Sequence, residues 1–200
     1  MRPAWLVLIC LLLSPLFGSM GWAADQRVDS DKWTRKYDRH FKKYSKRYFG
    51  PFYDWHWFKA QGIAESRLKP TAKSHRGAVG VMQILPSTYA DIKRKNPYFR
   101  DIESPRWNIA AGIFYDRGLY RRWQQLSGQD RLYLTFASYN AGYRRILRDY
   151  KRAPEPVDSW QHVKPYVPRE TQKYVGRIRE LKATDETLTS RWKKRRFKAN

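Results

Sequence analysis

Polar and apolar positions along this chain follow a helical rhythm, and no stretch sustains the two-residue alternation of a half-buried strand. The first clear stripe lies in Asp31–Tyr48, where Trp33, Tyr37, Phe41, Tyr44 and Tyr48 recur at spacings of four, four, three and four. Five aromatic rings therefore share one face, while eight Lys/Arg and two Asp occupy the rest. Such a face either packs on the body of a domain or lies on an anionic surface, and both uses are open at this level. Gly50-Pro51 ends the element, and Pro51 suits the first turn of a second helix running from Phe52 to Ser66. Trp55, Phe58, Gly62, Ile63 and Ala64 predict burial over much of that helix.

Leu68–Gly80 loses the rhythm and contains Pro70, Ser74, Gly77 and Gly80, so a loop is expected. Pro86 opens a helix to about Lys95, with Tyr89 and Ile92 inward, and Asn96-Pro97 breaks it. Ser104-Pro105 reads as a cap and first helical position, followed by a buried face of Ile109, Ile113, Leu119 and Tyr120 as far as Trp123. After Ser127-Gly128, Asp130 is the expected cap of a helix to Asn140, and Tyr143–Lys151 forms a short basic helix. Ala153–Pro168 holds four prolines and is expected to be irregular; Arg169–Leu181 is the last helix, with Tyr174, Val175 and Ile178 at apolar spacing. The expected class is mostly α, with one helical domain over residues 51–181.

Composition adds the surroundings. At 200 residues, 42% hydrophobic and 16% aromatic, the chain can build one sizeable core. Residues 1–23 have the form of a secretory leader: Arg2, an apolar run from Trp5 to Phe17, then the small residues Gly21 and Ala23. The run is short for a membrane span, so a cleaved signal is favoured over a retained anchor. The single cysteine, Cys10, falls inside it, preceded by Ile9 rather than a small residue, and is not read as a lipid-attachment site. Residues 24–50 and 182–200 are then basic extensions around the domain, and Arg191–Asn200 alone carries six basic residues with Trp192 and Phe197. A formal charge of +23 draws such a protein to polyanions. Export places wall polymers and anionic lipid within reach ahead of nucleic acid. His40, His56, His75 and His162 are scattered and have no cysteine partners after processing, so neither a metal nor another cofactor is expected.

The candidate chemistry centres on Glu65, an acid near the end of an apolar helical run and flanked in sequence by Ile63, Ala64 and Leu68, with Val81, Met82 and Ile84 shortly after. Apolar surroundings disfavour the charged carboxylate, and so does the negative end of a helix dipole. The result is an acid able to donate a proton near neutral pH. Asp91, Asp101, Glu103 and Asp130 stand in polar contexts, so a second catalytic carboxyl is not evident. Glu65 is therefore the one catalytic carboxyl that the sequence offers.

Glu65-Ser66, Gly80-Val81-Met82-Gln83, Ser138-Tyr139-Asn140-Ala141-Gly142 and Glu170-Thr171 with Tyr174-Val175 together resemble the four ordered motifs of the lytic transglycosylases of goose-type lysozyme fold. The resemblance covers roughly residues 51–181. It implies a lysozyme-like helical domain acting on peptidoglycan glycan strands, with Glu65 as acid and then base. It further implies that Ser66, Ser74, Gln83, Tyr139 and Asn140 bind substrate or orient the acid, that Met82 and Tyr139 offer apolar contact to sugar faces, and that Tyr174 places its hydroxyl near Glu65. The product implied is a 1,6-anhydromuramoyl end, made in the periplasm or cell envelope. Three positions depart from the family's usual residues: Ser104 for Asp, Val81 for Leu, and Ser138 for Ala, the last expected to alter the cleft wall.

Plainer readings stand beside each residue: Tyr139 as a core aromatic, Asn140 as the end of a helix, Gln83 as a surface amide, Ser74 as a loop hydroxyl. Two other functions also remain open, a hydrolytic lysozyme of the same fold and a non-catalytic binder of wall or anionic surface.

Overall fold

The computed structural model describes residues 27–183. The leader expected over residues 1–23, with Cys10, and all but the first two residues of the basic tail expected over 182–200 lie outside them. Among the described residues there are eight α-helices: α1 Asp38–Phe49, α2 His56–Ser66, α3 Pro86–Lys95, α4 Pro105–Arg122, α5 Gly128–Ala141, α6 Tyr143–Tyr150, α7 Trp160–Val163 and α8 Arg169–Lys182, with a 3₁₀ turn at Lys164–Tyr166. Helix α1 packs along α4, while α2 and α5 both pack on α8 and α5 also meets α4. The expected mostly α class holds for these residues.

The aromatic stripe of the first basic segment faces inward. Trp33, Tyr37, Phe41 and Tyr44 are buried in the same core as Phe58, Ile109 and Phe136. Removing those rings from water outweighs any gain from leaving them on a surface. The basic face is what remains outside. An ion pair of 2.7 Å between Lys59 of α2, almost fully buried, and Asp38 ties α1 to α2.

Four local expectations are corrected. Helix α2 begins at His56 rather than Phe52, because Gly50 turns the chain at φ 108° and the Asp54 carboxylate accepts the backbone N–H of His56 at 3.0 Å. Pro51 thus lies in a turn. Ser104 occupies the cap position of α4, but its hydroxyl makes no capping bond; its carbonyl accepts the Asn108 N–H at 2.8 Å. Asp130 lies inside α5 and instead accepts the backbone N–H of Trp160 at 2.8 Å, which caps α7 from thirty residues away. The proline-rich stretch 153–168 is not wholly irregular, since burial of Trp160 and Val163 folds it into α7 and the 3₁₀ turn.

Candidate active site

Helix α2 delivers Glu65 one residue before its end. Arg67 and Leu68 follow with φ of 57° and 61°, a left-handed conformation that costs a bulky residue about 1–2 kcal/mol. That reversal sends the chain into loop 69–85, where Val79 forms isolated antiparallel bridges with Lys73 and Ile84. The loop is pinned on both sides. From α2, Ser66 Oγ donates to the Val81 carbonyl at 2.8 Å. From α4, Asn108, fully buried, accepts the Met82 N–H at 2.7 Å and donates to the Val79 and Ile102 carbonyls, both at 2.9 Å. Gly80, at φ 80°, leaves the room that Asn108 occupies.

Helix α8 brings the decisive partner: Tyr174 Oη donates to Glu65 Oε1 at 2.5 Å. Glu65 keeps part of its surface open to solvent, yet burial pushes its carboxyl up to about 7, against the opposing pull of the Tyr174 hydrogen bond. Near neutrality such a carboxyl holds its proton and can also lose it. Burial, and then the Glu65 charge, drive the Tyr139 and Tyr174 hydroxyls well above their ordinary value, so both remain donors. Tyr139, from α5, donates to the Met82 carbonyl at 2.8 Å and meets the Tyr115 ring edge-on.

The remaining anticipated residues divide by what their atoms are already doing. Tyr174 alone among them hydrogen-bonds Glu65. Ser66 is buried, and its one hydroxyl proton is committed to backbone. Met82 has no accessible surface, being packed against Gly62 and Gly112, so its side chain offers no face to a sugar. Gln83 is only partly accessible; it takes φ 45° and spends its amide nitrogen on the Ala72 and Gly80 carbonyls at 3.0 and 2.9 Å, leaving Oε1 as an acceptor. Ser74 Oγ accepts the Ala78 N–H at 3.0 Å within the loop. Asn140 is exposed; its Oδ1 accepts the Thr171 hydroxyl at 2.7 Å, which leaves the amide N–H groups available. Ser138 does not form cleft wall: it is fully buried and accepts the Trp123 indole N–H at 3.0 Å. No group of three or more His, Cys, Asp or Glu poised to hold a metal occurs among the described residues.

Residues 53–160 match the transglycosylase SLT domain. The chain belongs to this family. The membrane-bound lytic murein transglycosylase F of Aliivibrio fischeri is 30% identical over 138 residues, 66% of this chain and 26% of that protein. Among solved structures, an inactive mutant of lytic transglycosylase Slt from Pseudomonas aeruginosa superposes with a TM-score of 0.63 at 22% identity, over 73% of this chain and 23% of that one. The 70 kDa soluble lytic transglycosylase of Escherichia coli gives 0.58 at 23%, over 72% and 23%. This chain thus spans about a quarter of each of these relatives, and the likeness in structure is one of fold.

Besides Asn108, two residues of this SLT domain lie outside the sequence motifs. Asp116 of α4 is fully buried, and Gln61 Nε2, from the turn of α2 before Glu65, donates to its Oδ1 at 3.3 Å. The one signal in the sequence is an acid set four residues after Gly112 and eight after Asn108, within a largely apolar helix.

Proposed function

We propose that this protein is a peptidoglycan lytic transglycosylase of the cell envelope, exported by its leader. The observation that carries the reading is the Glu65 carboxyl, raised to about 7 by burial and held by Tyr174, on a residue that keeps some surface open to solvent. The acid protonates the oxygen between N-acetylmuramic acid and N-acetylglucosamine, and the bond to C1 breaks as the substrate's acetamido carbonyl stabilises the anomeric centre. Glu65, now a carboxylate, takes the proton from the muramoyl C6 hydroxyl as that oxygen attacks C1. A 1,6-anhydro end forms, and the acid is regenerated without consuming water. Family membership and the names of the matched relatives support the substrate class. Gln83 Oε1 and the Asn140 amide offer an acceptor and donors to the glycan, and Tyr139 supports the loop from behind.

Digestion of purified peptidoglycan followed by mass analysis of the fragments tests this. Ends one water lighter than a reducing sugar are expected, and they should vanish in Glu65→Gln. Reducing ends would instead make the protein a hydrolytic lysozyme of the same fold. Binding without cleavage would make it a non-catalytic wall binder.

A specific observation favours a second contact, with anionic wall polymer. Lys43 and Arg47 of α1 and Arg106 of α4 line a recess of about 290 Å³ with Tyr98, Asn96 and Trp107. This recess shares no residue with the Glu65 site. None of its three cations is ion-paired among the described residues; burial lowers the His40 pKa, and the charges of Arg39, Arg106 and Lys43 lower it further. Unneutralised charge beside sugar-sized aromatic surfaces suits an acidic glycan or its peptide carboxylates.

A further inference from the structure

Asp116 is a buried carboxyl that the proposed chemistry does not use. It has no accessible surface, and among the described residues its carboxyl takes one hydrogen bond, from the Gln61 amide nitrogen. Among the same residues two acceptor atoms of this pair lack partners, Asp116 Oδ2 and Gln61 Oε1. Acceptors cannot satisfy one another. A single proton on Oδ2 cures both, because a protonated carboxyl is one donor and Gln61 Oε1 is an acceptor within the same pair. Ionised, Asp116 would be a buried charge with one neutral hydrogen bond, a costly state.

Among the described residues, the surroundings supply no compensating cation. From α2 the facing groups are Gln61 and Glu65; from α5, Tyr139; from α8, Tyr174; from the turn before α2, Tyr53. On α4 itself Tyr115 is adjacent, while Arg117 lies over the Phe49 and Tyr120 rings. From α1, the Tyr48 ring meets Phe114 rather than Asp116. Gln61 and Glu65 stand four residues apart on α2 and hence on one face. On α4, Asn108, Gly112 and Asp116 repeat at the same spacing, so a single stripe holds the Met82 segment at one end and the turn of α2 carrying the acid at the other.

We propose that Asp116 is a positioning residue: as a neutral carboxylic acid it closes a two-bond ring with Gln61, anchors the turn of α2 that carries Glu65, and keeps a second negative charge away from it. In this ring Gln61 Nε2–H donates to Oδ1 and Asp116 Oδ2–H donates to Gln61 Oε1. The assignment rests on the lytic reading for its kinetic consequence and not for its protonation state, so the two are tested separately.

The first test is carbon-13 NMR of the wild-type protein labelled at aspartate carboxyls, with the Asp116 signal assigned by its loss in Asp116→Asn. At neutral pH the signal should stand at the carboxylic acid position; a carboxylate signal there overturns the proposal, whether or not the protein cuts peptidoglycan. The second is the pH profile of glycan cleavage. Asp116→Ala should lower kcat about tenfold with little change in KM, because Glu65 loses its anchorage. Asp116→Asn preserves an acceptor and a donor and should rescue kcat, with the alkaline midpoint moved by less than about 0.3 on the pH scale. Were Asp116 charged in the wild type, Asn would remove a like charge and drop that midpoint by about one or more. That drop, or an Asn variant as slow as Ala, overturns the proposal.

Discussion

Tyr174 donates its phenolic proton to Glu65 Oε1 across 2.5 Å, joining two helices through residues 109 positions apart in sequence. The bond favours the carboxylate, while burial favours the acid. Their balance leaves Glu65 titrating near the pH at which a carboxyl can both give and take a proton, as the proposed cycle requires. Tyr174→Phe removes the hydrogen bond that favours the carboxylate. The alkaline limb of the pH profile should therefore move upward from about 7, with a lower rate below it as the acid loses its orientation. A downward move would contradict this balance.

Glu65→Gln should abolish lysis and leave the fold intact, and it should also change how stability depends on pH. A carboxyl whose folded pKa is raised from 4.5 to about 7 contributes stability that is complete below the unfolded value and lost as pH rises through the folded one. The wild type should thus lose about 3 kcal/mol relative to Glu65→Gln between acid and mildly alkaline solution. Denaturation midpoints of both proteins at the two pH values check the sign and the size.

Gly80→Ala should loosen the loop beside the acid. Its Cβ would fall 2.5 Å from Asn108 Nδ2 at φ 80°, combining backbone strain with displacement of the side chain that bonds the Met82 N–H and Val79 carbonyl. A destabilisation of about 2–4 kcal/mol is expected, with a fall in kcat even where the protein remains folded. Unfolding and cleavage assays on the same sample measure both.

Binding to insoluble wall should weaken steeply as ionic strength rises. Replacing Lys43, Arg47 and Arg106 together by Ala should flatten that dependence, while cleavage of short soluble glycan fragments continues because none of the three touches Glu65. A pull-down on purified wall across a salt series reads the slope. Equal slopes for both proteins would remove the recess between α1 and α4 as the contact.

Much of the scaffold is legible in the sequence because helical periodicity is local. The stripe of Trp33, Tyr37, Phe41 and Tyr44, the prolines opening α3 and α4, and the apolar spacing in α8 each report on neighbours within one or two turns. Caps are less legible, since Asp130 serves α7 from inside α5 and only the packing of the two helices settles that. The site divides along the same line. Glu65 reads as an unusual acid from the apolar residues adjacent to it. The duties of Met82, Ser66 and Gln83 do not, because each depends on which backbone groups of loop 69–85 come to lie beside it.

Order along the chain was enough to dictate helices, a strongly basic first helix with one aromatic face to bury or lay on a surface, and a Glu65 set among apolar neighbours. Folding in three dimensions had to supply the rest: the basic helix joins the core, Tyr174 reaches Glu65, and Asp116 meets Gln61 from 55 residues away. The difference is one of range. Propensity and amphipathic spacing act over a few residues along the chain, whereas the proton affinity of a buried acid is set by whatever groups the fold brings within a few ångströms, wherever they lie in sequence.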